Sequence, residues 1–211
     1  MAKENMNEKN TFRKKCLKIS KYNRYYYSKK IGWKLYEVCK RHKNILFFIP
    51  MNTEVDIHWV LRKLRRERKN IFVPFMEDLS FKMVKYQLPL VKKKFSILEP
   101  VNKQKTLQKI DLAVVPVVGI DSSFKRVGFG KGMYDRFFSA LGYKPRIVFV
   151  QLRLCYSKDV ITDIFDVRAD EYISFNIYKR RKNECTDNFS RYDIIRSRGI
   201  CHSKKNGCGE I

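Results

Sequence analysis

The sequence predicts an α/β fold: an open, mostly parallel sheet flanked by helices, forming a single domain with a basic C-terminal tail. Short runs of β-branched and aromatic residues, typical of buried strands, alternate with segments whose apolar residues recur at helical spacing. This alternation is typical of strand–helix–strand units, which place strands in parallel and bind ligands beyond their carboxyl ends. A chain of 211 residues is long enough for one such domain.

The N-terminal third predicts helices with a break between them. Apolar residues recur there at helical spacing in two groups: Phe12, Cys16 and Ile19, then Ile31, Leu35 and Val38 around Gly32. Four runs bounded by charge, proline or glycine predict buried strands: 45–50, 71–76, 112–118 and 146–150. Helical patterns at 55–64 and 133–141 fall between them, and 81–90 predicts one more strand. The poorly patterned connection 92–107 predicts a mobile loop that covers a ligand.

Residues 179–211 are basic and polar, with almost no apolar periodicity, so we expect a domain over 1–178 and a disordered tail after it. The six cysteines include no Cys-x-x-Cys pair, and those of the tail match no common zinc spacing. No signal segment begins the chain, and no run approaches the ~18 apolar residues that span a bilayer. We therefore expect a cytoplasmic monomer in a reducing compartment.

Lysine and arginine number 46 against 21 acids, a formal charge of +25, which favours anionic partners. Net charge alone does not separate small polyanions from nucleic acid. Three basic clusters, 62–69, 92–94 and 179–182, are interpreted as solvated faces, because exposed positions hydrate charge best. The basic residues are spread along the chain, and no stripe of interleaved aromatic residues is evident.

The segment 126–135, Arg-Val-Gly-Phe-Gly-Lys-Gly-Met-Tyr-Asp, is the most specific motif. Alternating glycines let the main chain approach a ligand and direct N–H groups at anionic oxygens, and Arg126 and Lys131 add countercharge. A predicted strand precedes the segment and a predicted helix follows it, and a helix N-terminus favours anions. The segment therefore predicts a polyphosphate site. Because its spacing fits neither a Walker loop nor the dinucleotide fingerprint, a plain tight turn remains an alternative.

With Asp121 upstream and Arg136 downstream, the segment resembles the signature Arg-Leu-Gly-x-Gly-x-Gly-Tyr-Tyr-Asp-Arg of the 5-formyltetrahydrofolate cyclo-ligase family, also called methenyltetrahydrofolate synthetases. The resemblance covers about residues 9–175. Supporting matches follow in order: Lys9 and Arg13, the segment Met51-Asn52-Thr53-Glu54, the pair Glu99-Pro100, and Phe165-Asp166-Val167-Arg168-Ala169-Asp170.

The resemblance implies ATP- and Mg²⁺-dependent conversion of 5-formyltetrahydrofolate to 5,10-methenyltetrahydrofolate, with release of ADP and phosphate. In the implied mechanism the formyl oxygen attacks the γ-phosphate, N10 closes onto the activated carbon, and phosphate leaves. Reduced folate and ATP are then the partners, with nucleic acid bound only non-specifically at low salt. The alternative is a basic nucleic-acid-binding protein that retains an enzyme-like fold.

The resemblance also implies the site residues. The catalytic residues implied are Arg126 and Lys131, and the metal ligands are Asp135 and Asp170. The ATP-binding residues implied are Lys9, Arg13, Arg126, Gly128, Gly130, Lys131, Gly132, Met133 and Tyr134. The substrate-binding residues implied are Glu54, Phe129, Gly130, Lys131, Gly132 and Met133. From the residues alone, Glu54 is better explained as an acid that favours the start of the helix 55–64, and Asp135 is also consistent with a first-turn acid.

Five positions depart from the family pattern. Val117 and Phe124 replace glycines before the loop, so its entry is expected to differ in shape. Met133 replaces the first of two tyrosines and removes one hydroxyl. Cys155 falls near a usual Gln, and Phe165 replaces a His or Asn. None of them removes a charged group that the implied chemistry needs.

Overall fold

The computed structural model describes residues 2–19, 23–92, 98–101, 104, 106 and 108–181. Its helices are α1 (Ala2–Ile19), α2 (Arg24–Cys39), α3 (His58–Arg66) and α4 (Met133–Ser139). Its strands are β1 (Asn44–Leu46), β2 (Asn70–Met76), β3 (Phe81–Lys85), β4 (Leu90–Lys92), β5 (Leu98–Pro100), β6 (Leu112–Pro116), β7 (Gly119–Ile120), β8 (Arg126–Val127), β9 (Arg146–Val150), β10 (Glu171–Ile173) and β11 (Tyr178–Arg180).

Seven strands form the main sheet in the order β11-β10-β9-β6-β1-β2-β3. The five inner strands are parallel, and β3 and β11 add antiparallel edges. Every residue of β6 is buried, as expected for a strand covered on both faces. The predicted α/β class with a mostly parallel sheet is confirmed, and β4-β5 and β7-β8 form two small separate sheets.

Helices cover both faces of the sheet. Ile31 and Leu35 of α2 and Leu61 of α3 are fully buried in one core cluster with the inner strands. Phe137 of α4 belongs to the second cluster, where it stacks on Phe81 of β3 with ring centroids 4.3 Å apart. The apolar spacing seen in the sequence thus marks the faces that leave water, which is the main contribution to stability in such layers.

Several predicted boundaries shift. The run 45–50 pairs only as far as Leu46, the run 112–118 only as far as Pro116, and the helix expected from 55 begins at His58. The expected strand 81–90 divides into β3 and β4, and the connection 92–107 contains β5, which pairs with β4. Hydrophobic runs predict burial, and burial continues past the strand ends, since residues 47–49 and 117–118 are buried outside the strands.

Strand β11 crosses the predicted domain boundary after residue 178. Residues Tyr178–Arg180 form β11 and pair with β10, and the Tyr178 hydroxyl donates to Glu171 Oε2 at 2.6 Å. An edge strand carrying polar side chains gives little periodic signal, so the sequence assigned it to the tail. Residues 182–211, including the tail cysteines and histidine, lie outside the described residues.

A disulfide joins Cys16 of α1 to Cys155, which follows β9. The two cysteines are 139 residues apart with Cα atoms at 5.5 Å, a pairing that local spacing could not reveal. Phe12, Leu17 and Val118 pack around the bond. No helix in the described part of the chain is long and apolar enough to cross a membrane.

Candidate active site

The glycine-rich segment forms a loop that leads into the N-terminus of α4, as the sequence predicted, but the strand directly before it is the short β8 and not the predicted run 112–118. Gly130 and Gly132 have φ angles of +96° and +59°, a left-handed backbone that glycine adopts without strain. Gly132 is the residue that caps α4. Lys131 lies between them with an exposed side chain, at the mouth of a cavity.

Helix α1 docks against this loop through two cations. Arg13 Nε donates to the backbone oxygen of Gly128 at 2.6 Å. Lys9 Nζ pairs with Asp163 at 3.1 Å and, more closely, with Asp166. Arg13 therefore lies at the loop, whereas Lys9 would have to exchange carboxylates for phosphate oxygens to contact a nucleotide. Burial and nearby Arg126 lower the pKa of Arg13, and Asp166 opposes that shift.

Arg126 is buried beneath the loop. Its guanidinium carbon lies 4.9 Å from the centre of the Tyr134 ring, and its Nη2 lies 3.5 Å from Asp135 Oδ2. The other Asp135 oxygen accepts a 3.0 Å hydrogen bond from the Val167 N–H. Arg126 Nε is buried and lacks a hydrogen-bond partner among the described residues, an N–H donor available to an anionic ligand.

Glu54 is buried in a tight turn that follows β1. Its Oε2 accepts the N–H of Met51 at 2.8 Å, and Arg24 of α2 donates to the backbone oxygens of Glu54 at 2.7 Å and Met51 at 3.1 Å. Burial raises the pKa of Glu54 to about 7, although the Met51 hydrogen bond, Arg126 and Arg24 all favour its charged form. A buried carboxyl poised near neutrality is typical of a ligand-binding site.

Glu54 and the glycine loop face one cavity of about 300 Å³, at the edge where the parallel strands end. Glu54, Arg126 and Lys131 supply its charged groups. Its wall is otherwise mostly apolar: Phe48, Ile49, Met51, Thr53, Pro74, Met76, Phe81, Pro116, Phe129, Gly132, Met133 and Tyr134. The cavity can bury a flat organic molecule, bind its polar edge at Glu54 and present it to an anion on the loop.

The two acids implied as metal ligands contact different parts of the fold. Asp135 lies beside Arg126, but Asp170 accepts the Ile147 N–H at 2.9 Å and a hydrogen bond from Arg181 at 2.8 Å. Ile147 belongs to the amino-terminal half of β9, whereas the cavity lies beyond the carboxyl ends of the strands. Spacing along a motif could not reveal this separation, because the chain turns back to the sheet between Val167 and Asp170.

The remaining residues can accommodate a magnesium nucleotide. Arg13, Arg126 and Lys131 supply cations around the loop, and Asp135 supplies a carboxylate next to it. Magnesium in nucleotide sites takes one or two carboxylates together with phosphate and water. Accordingly, no group of three or more His, Cys, Asp or Glu side chains in the described ranges could hold a metal by itself.

The departure from the family pattern at Phe124 has a structural explanation. Phe124 adopts a φ of +63°, so the turn keeps a left-handed conformation without glycine, and its side chain is buried in the core. Asp121 holds this turn, since it accepts hydrogen bonds from Ser123 and Lys125 and from the Thr162 N–H at 3.1 Å. The turn before the loop thus keeps its left-handed residue although Phe124 replaces the glycine.

Sequence reasoning missed two parts of the site. Arg24 opens α2 and holds the Glu54 turn, but a single arginine in a chain with 46 basic residues carries no signal. The apolar wall comes from Phe48, Pro74 and Phe81, which belong to different segments. The available signal for this wall was an apolar residue just beyond a strand end. That signal can be interpreted only when the order of the strands in the sheet is known.

Comparison with known proteins identifies the relatives of this chain. It is 28% identical over 105 residues to a 5-formyltetrahydrofolate cyclo-ligase of Haemophilus influenzae, and 28% over 137 residues to a probable one of Schizosaccharomyces pombe. These matches cover 46% and 58% of this chain and 56% and 67% of the relatives, so the chain spans little more than half of the bacterial enzyme.

The fold has a solved counterpart. The NMR structure of Aquifex aeolicus 5,10-methenyltetrahydrofolate synthetase superposes with a TM-score of 0.72 and 25% identity, covering 85% of this chain and 96% of that one. The profile of the 5-formyltetrahydrofolate cyclo-ligase family matches residues 4–173, which include α1, the Glu54 turn and the loop. The chain therefore belongs to the 5-formyltetrahydrofolate cyclo-ligase family.

Proposed function

We propose that this chain is a 5-formyltetrahydrofolate cyclo-ligase, which converts 5-formyltetrahydrofolate to 5,10-methenyltetrahydrofolate with ATP and Mg²⁺ and releases ADP and phosphate. The observation that carries this proposal is one cavity bounded by a buried carboxyl, Glu54, and by the cationic glycine loop. Family membership favours this enzyme over the alternative of a nucleic-acid-binding protein that keeps only the fold.

Glu54 binds the pterin in this proposal. Its ionised carboxylate would accept two neighbouring N–H groups of the pterin ring, an arrangement that a planar acceptor pair suits. The ring would bury its faces against the apolar wall, which includes Phe129 and Met133. The Met51 N–H holds the carboxyl and Arg24 holds the backbone of its turn before substrate arrives, which reduces the ordering cost of binding.

The glycine loop binds the ATP phosphates. Backbone N–H groups of Gly128, Gly130 and Gly132, with Met133 and Tyr134 at the start of α4, would surround them. Arg13 and Arg126 supply fixed charge, and Lys9 anchors α1 through Asp163 and Asp166. Asp135 would hold magnesium, which neutralises phosphate charge. Asp170 is left out of the proposed metal site because it contacts Ile147 in the amino-terminal half of β9, away from the cavity.

The chemistry requires positioning and charge neutralisation. The formyl oxygen attacks the γ-phosphate, ADP leaves, N10 closes onto the activated carbon, and phosphate departs with the oxygen. Lys131 and Arg126 would stabilise negative charge on the transferred group, the usual protein contribution to phosphoryl transfer. No side-chain nucleophile is needed for these steps.

The test is direct. Purified protein is mixed with 5-formyltetrahydrofolate, ATP and Mg²⁺, and the absorbance of the methenyl product is followed. We expect product in proportion to ATP consumed, and none when ATP or Mg²⁺ is omitted. Absence of product with every nucleoside triphosphate tried would refute the proposal.

A further inference from the structure

A second concave surface lies between α2 and α3, built from residues that the cyclo-ligase site does not use. It encloses about 360 Å³. Three aromatic side chains, Tyr25, Trp33 and Trp59, form its walls, and Lys29 and Arg62 stand beside them. We call these five residues the aromatic groove. Its remaining lining residues are Ser28, Asp56 and His58.

The aromatic groove exposes rings that soluble proteins usually bury. Tyr25 is 83% exposed and Trp33 is 53% exposed. Tyr25, Lys29 and Trp33 occupy positions i, i+4 and i+8 of α2, so they share one helix face. Trp33 leans on Trp59 with ring centroids 5.0 Å apart. Gly32 permits this packing, since a Cβ there would lie 2.6 Å from Trp59 Nε1.

The charge around the groove is strongly positive. Helix α2 carries four cations and one acid, and α3 carries four cations and no acid. The one acid that lines the groove, Asp56, is paired with His58 at 2.9 Å. Along the sequence no stripe of interleaved basic and aromatic residues is evident, but on this face of the fold the two kinds of side chain lie side by side. The folded helices bring together residues 25–33 and 59–62, which are separated in the chain.

We propose that the aromatic groove binds single-stranded nucleic acid, by stacking an unpaired base on Trp33 and Tyr25 and pairing phosphates with Lys29 and Arg62. Exposed aromatic rings beside cations are the elements with which proteins hold single strands without reading sequence. Positive charge continues past the groove to Lys63, which lies 4.7 Å from the ring of Tyr36 beside Trp33 and pairs with Glu67 at 3.3 Å. A single-stranded nucleic acid could use this additional length, whereas a mononucleotide could not. This function is separate from cyclisation, whose residues lie elsewhere.

The chain provides its own reporter. Its two tryptophans, Trp33 and Trp59, both line the groove, so intrinsic tryptophan fluorescence reports this surface alone. The full-length protein is titrated with a twelve-residue oligouridylate and with oligothymidylate at physiological salt. We expect base stacking to quench the fluorescence along a saturable curve, with the RNA and DNA strands both effective.

Substitutions separate stacking from charge. Trp33→Ala should weaken binding of a labelled strand by roughly tenfold or more, and Trp33→Phe by much less, because a stacking surface remains. Lys29→Ala should reduce the salt slope of binding by about 0.7, the release expected for one phosphate on a single strand. Lys144→Ala, an exposed lysine in the loop after α4, is the matched control and should change neither value.

The same titration contains the results that would overturn the proposal. Heparin and polyglutamate carry charge without bases, and equal quenching by either would make the groove a general polyanion surface. Uridine monophosphate binding as tightly as the strand would make it a small-molecule site. A third result is that nucleic acid binds without changing the tryptophan fluorescence, and with equal affinity for the Trp33→Ala variant and the parent protein. That result would place the contact elsewhere on the chain.

Discussion

Arg13 Nε donates a 2.6 Å hydrogen bond to the backbone oxygen of Gly128, which ties α1 to the glycine loop. Three residues further along α1, Cys16 is joined to Cys155 on the segment after β9. The same helix is therefore fixed at the loop and at the sheet edge. Order in α1 and order in the proposed phosphate site are coupled through these two contacts.

Loss of the Cys16–Cys155 bond should weaken ATP binding. Without the bond, α1 has more freedom in the unbound protein, and binding must then order Arg13. We expect Cys155→Ser to raise the KM for ATP several-fold, with a smaller change in the KM for folate. Cys39→Ser is the control, since Cys39 is a buried, unpaired thiol on α2. Equal KM values in both variants and the parent protein would show that α1 docks without the bond.

Lys131 should matter for turnover. If Lys131 stabilises charge on the transferred phosphoryl group, Lys131→Ala should lower kcat by about 10²-fold or more. Lys131→Arg should retain part of that activity because the charge remains. The fold should be unaffected, since the side chain is exposed in the loop. A fully active alanine variant would remove Lys131 from the mechanism.

Asp135 and Asp170 form a matched pair of tests. Asp135→Asn removes the proposed magnesium ligand and should shift the magnesium titration of activity to higher concentration. Asp170→Asn should leave that titration unchanged and instead lower the free energy of unfolding by about 1–3 kcal/mol, because it weakens the partially buried contact with Arg181. A magnesium titration that shifts in Asp170→Asn and not in Asp135→Asn would restore Asp170 as a metal ligand.

Glu54 should make the protein less stable as pH rises. Its pKa is raised from 4.5 to about 7 in the folded state, so the folded protein keeps a proton that the unfolded chain releases. The contribution of Glu54 to the free energy of unfolding is fully present below pH 4.5. It is lost as pH rises through about 7, by on the order of 3 kcal/mol. Glu54→Gln should remove this loss and therefore be more stable than the parent protein at pH 8.

The same titration should govern substrate affinity. The carboxylate form accepts the pterin N–H groups in the proposed complex, so the KM for folate should fall as pH rises from 6 to 8. Glu54→Gln should raise the KM and flatten its pH dependence. Denaturant unfolding at pH 5 and 8 measures the stability, and initial rates over the same range measure KM. If the KM for folate of the parent protein does not change between pH 6 and 8, Glu54 does not bind the substrate.

The sequence predicted the sheet and the loop because each depends on local patterns. The inner strands are continuous apolar runs, and the glycines of 128–132 signal a left-handed backbone by themselves. The partners of Glu54 could not be predicted, since Arg24 reaches it from 30 residues away. The different surroundings of Asp135 and Asp170 could not be predicted either, because proximity along a motif does not fix which end of a strand a side chain meets.

The aromatic groove could not be predicted from the sequence either, because its residues come from two helices. Tyr25, Lys29 and Trp33 follow a helical period that the sequence displays, but Trp59 and Arg62 join them only when α2 packs on α3. A basic stretch such as 62–69 is therefore interpretable only with its neighbours. In sequence it predicts a solvated face, and in the fold part of it borders exposed aromatic rings.

The position of β11 leads to a prediction about the C-terminus. Ending the chain after Arg181 should leave cyclisation nearly unchanged, because β11 and the Arg181 contact with Asp170 remain. Ending it after Ile177 removes β11, and the buried carboxyl of Glu171 then loses the Tyr178 hydroxyl. Losing a hydrogen bond to a buried charged group, together with an edge strand, should lower the free energy of unfolding by about 2–4 kcal/mol. Thermal unfolding of the two truncated chains measures the difference, and equal melting temperatures would return residues 178–181 to the tail.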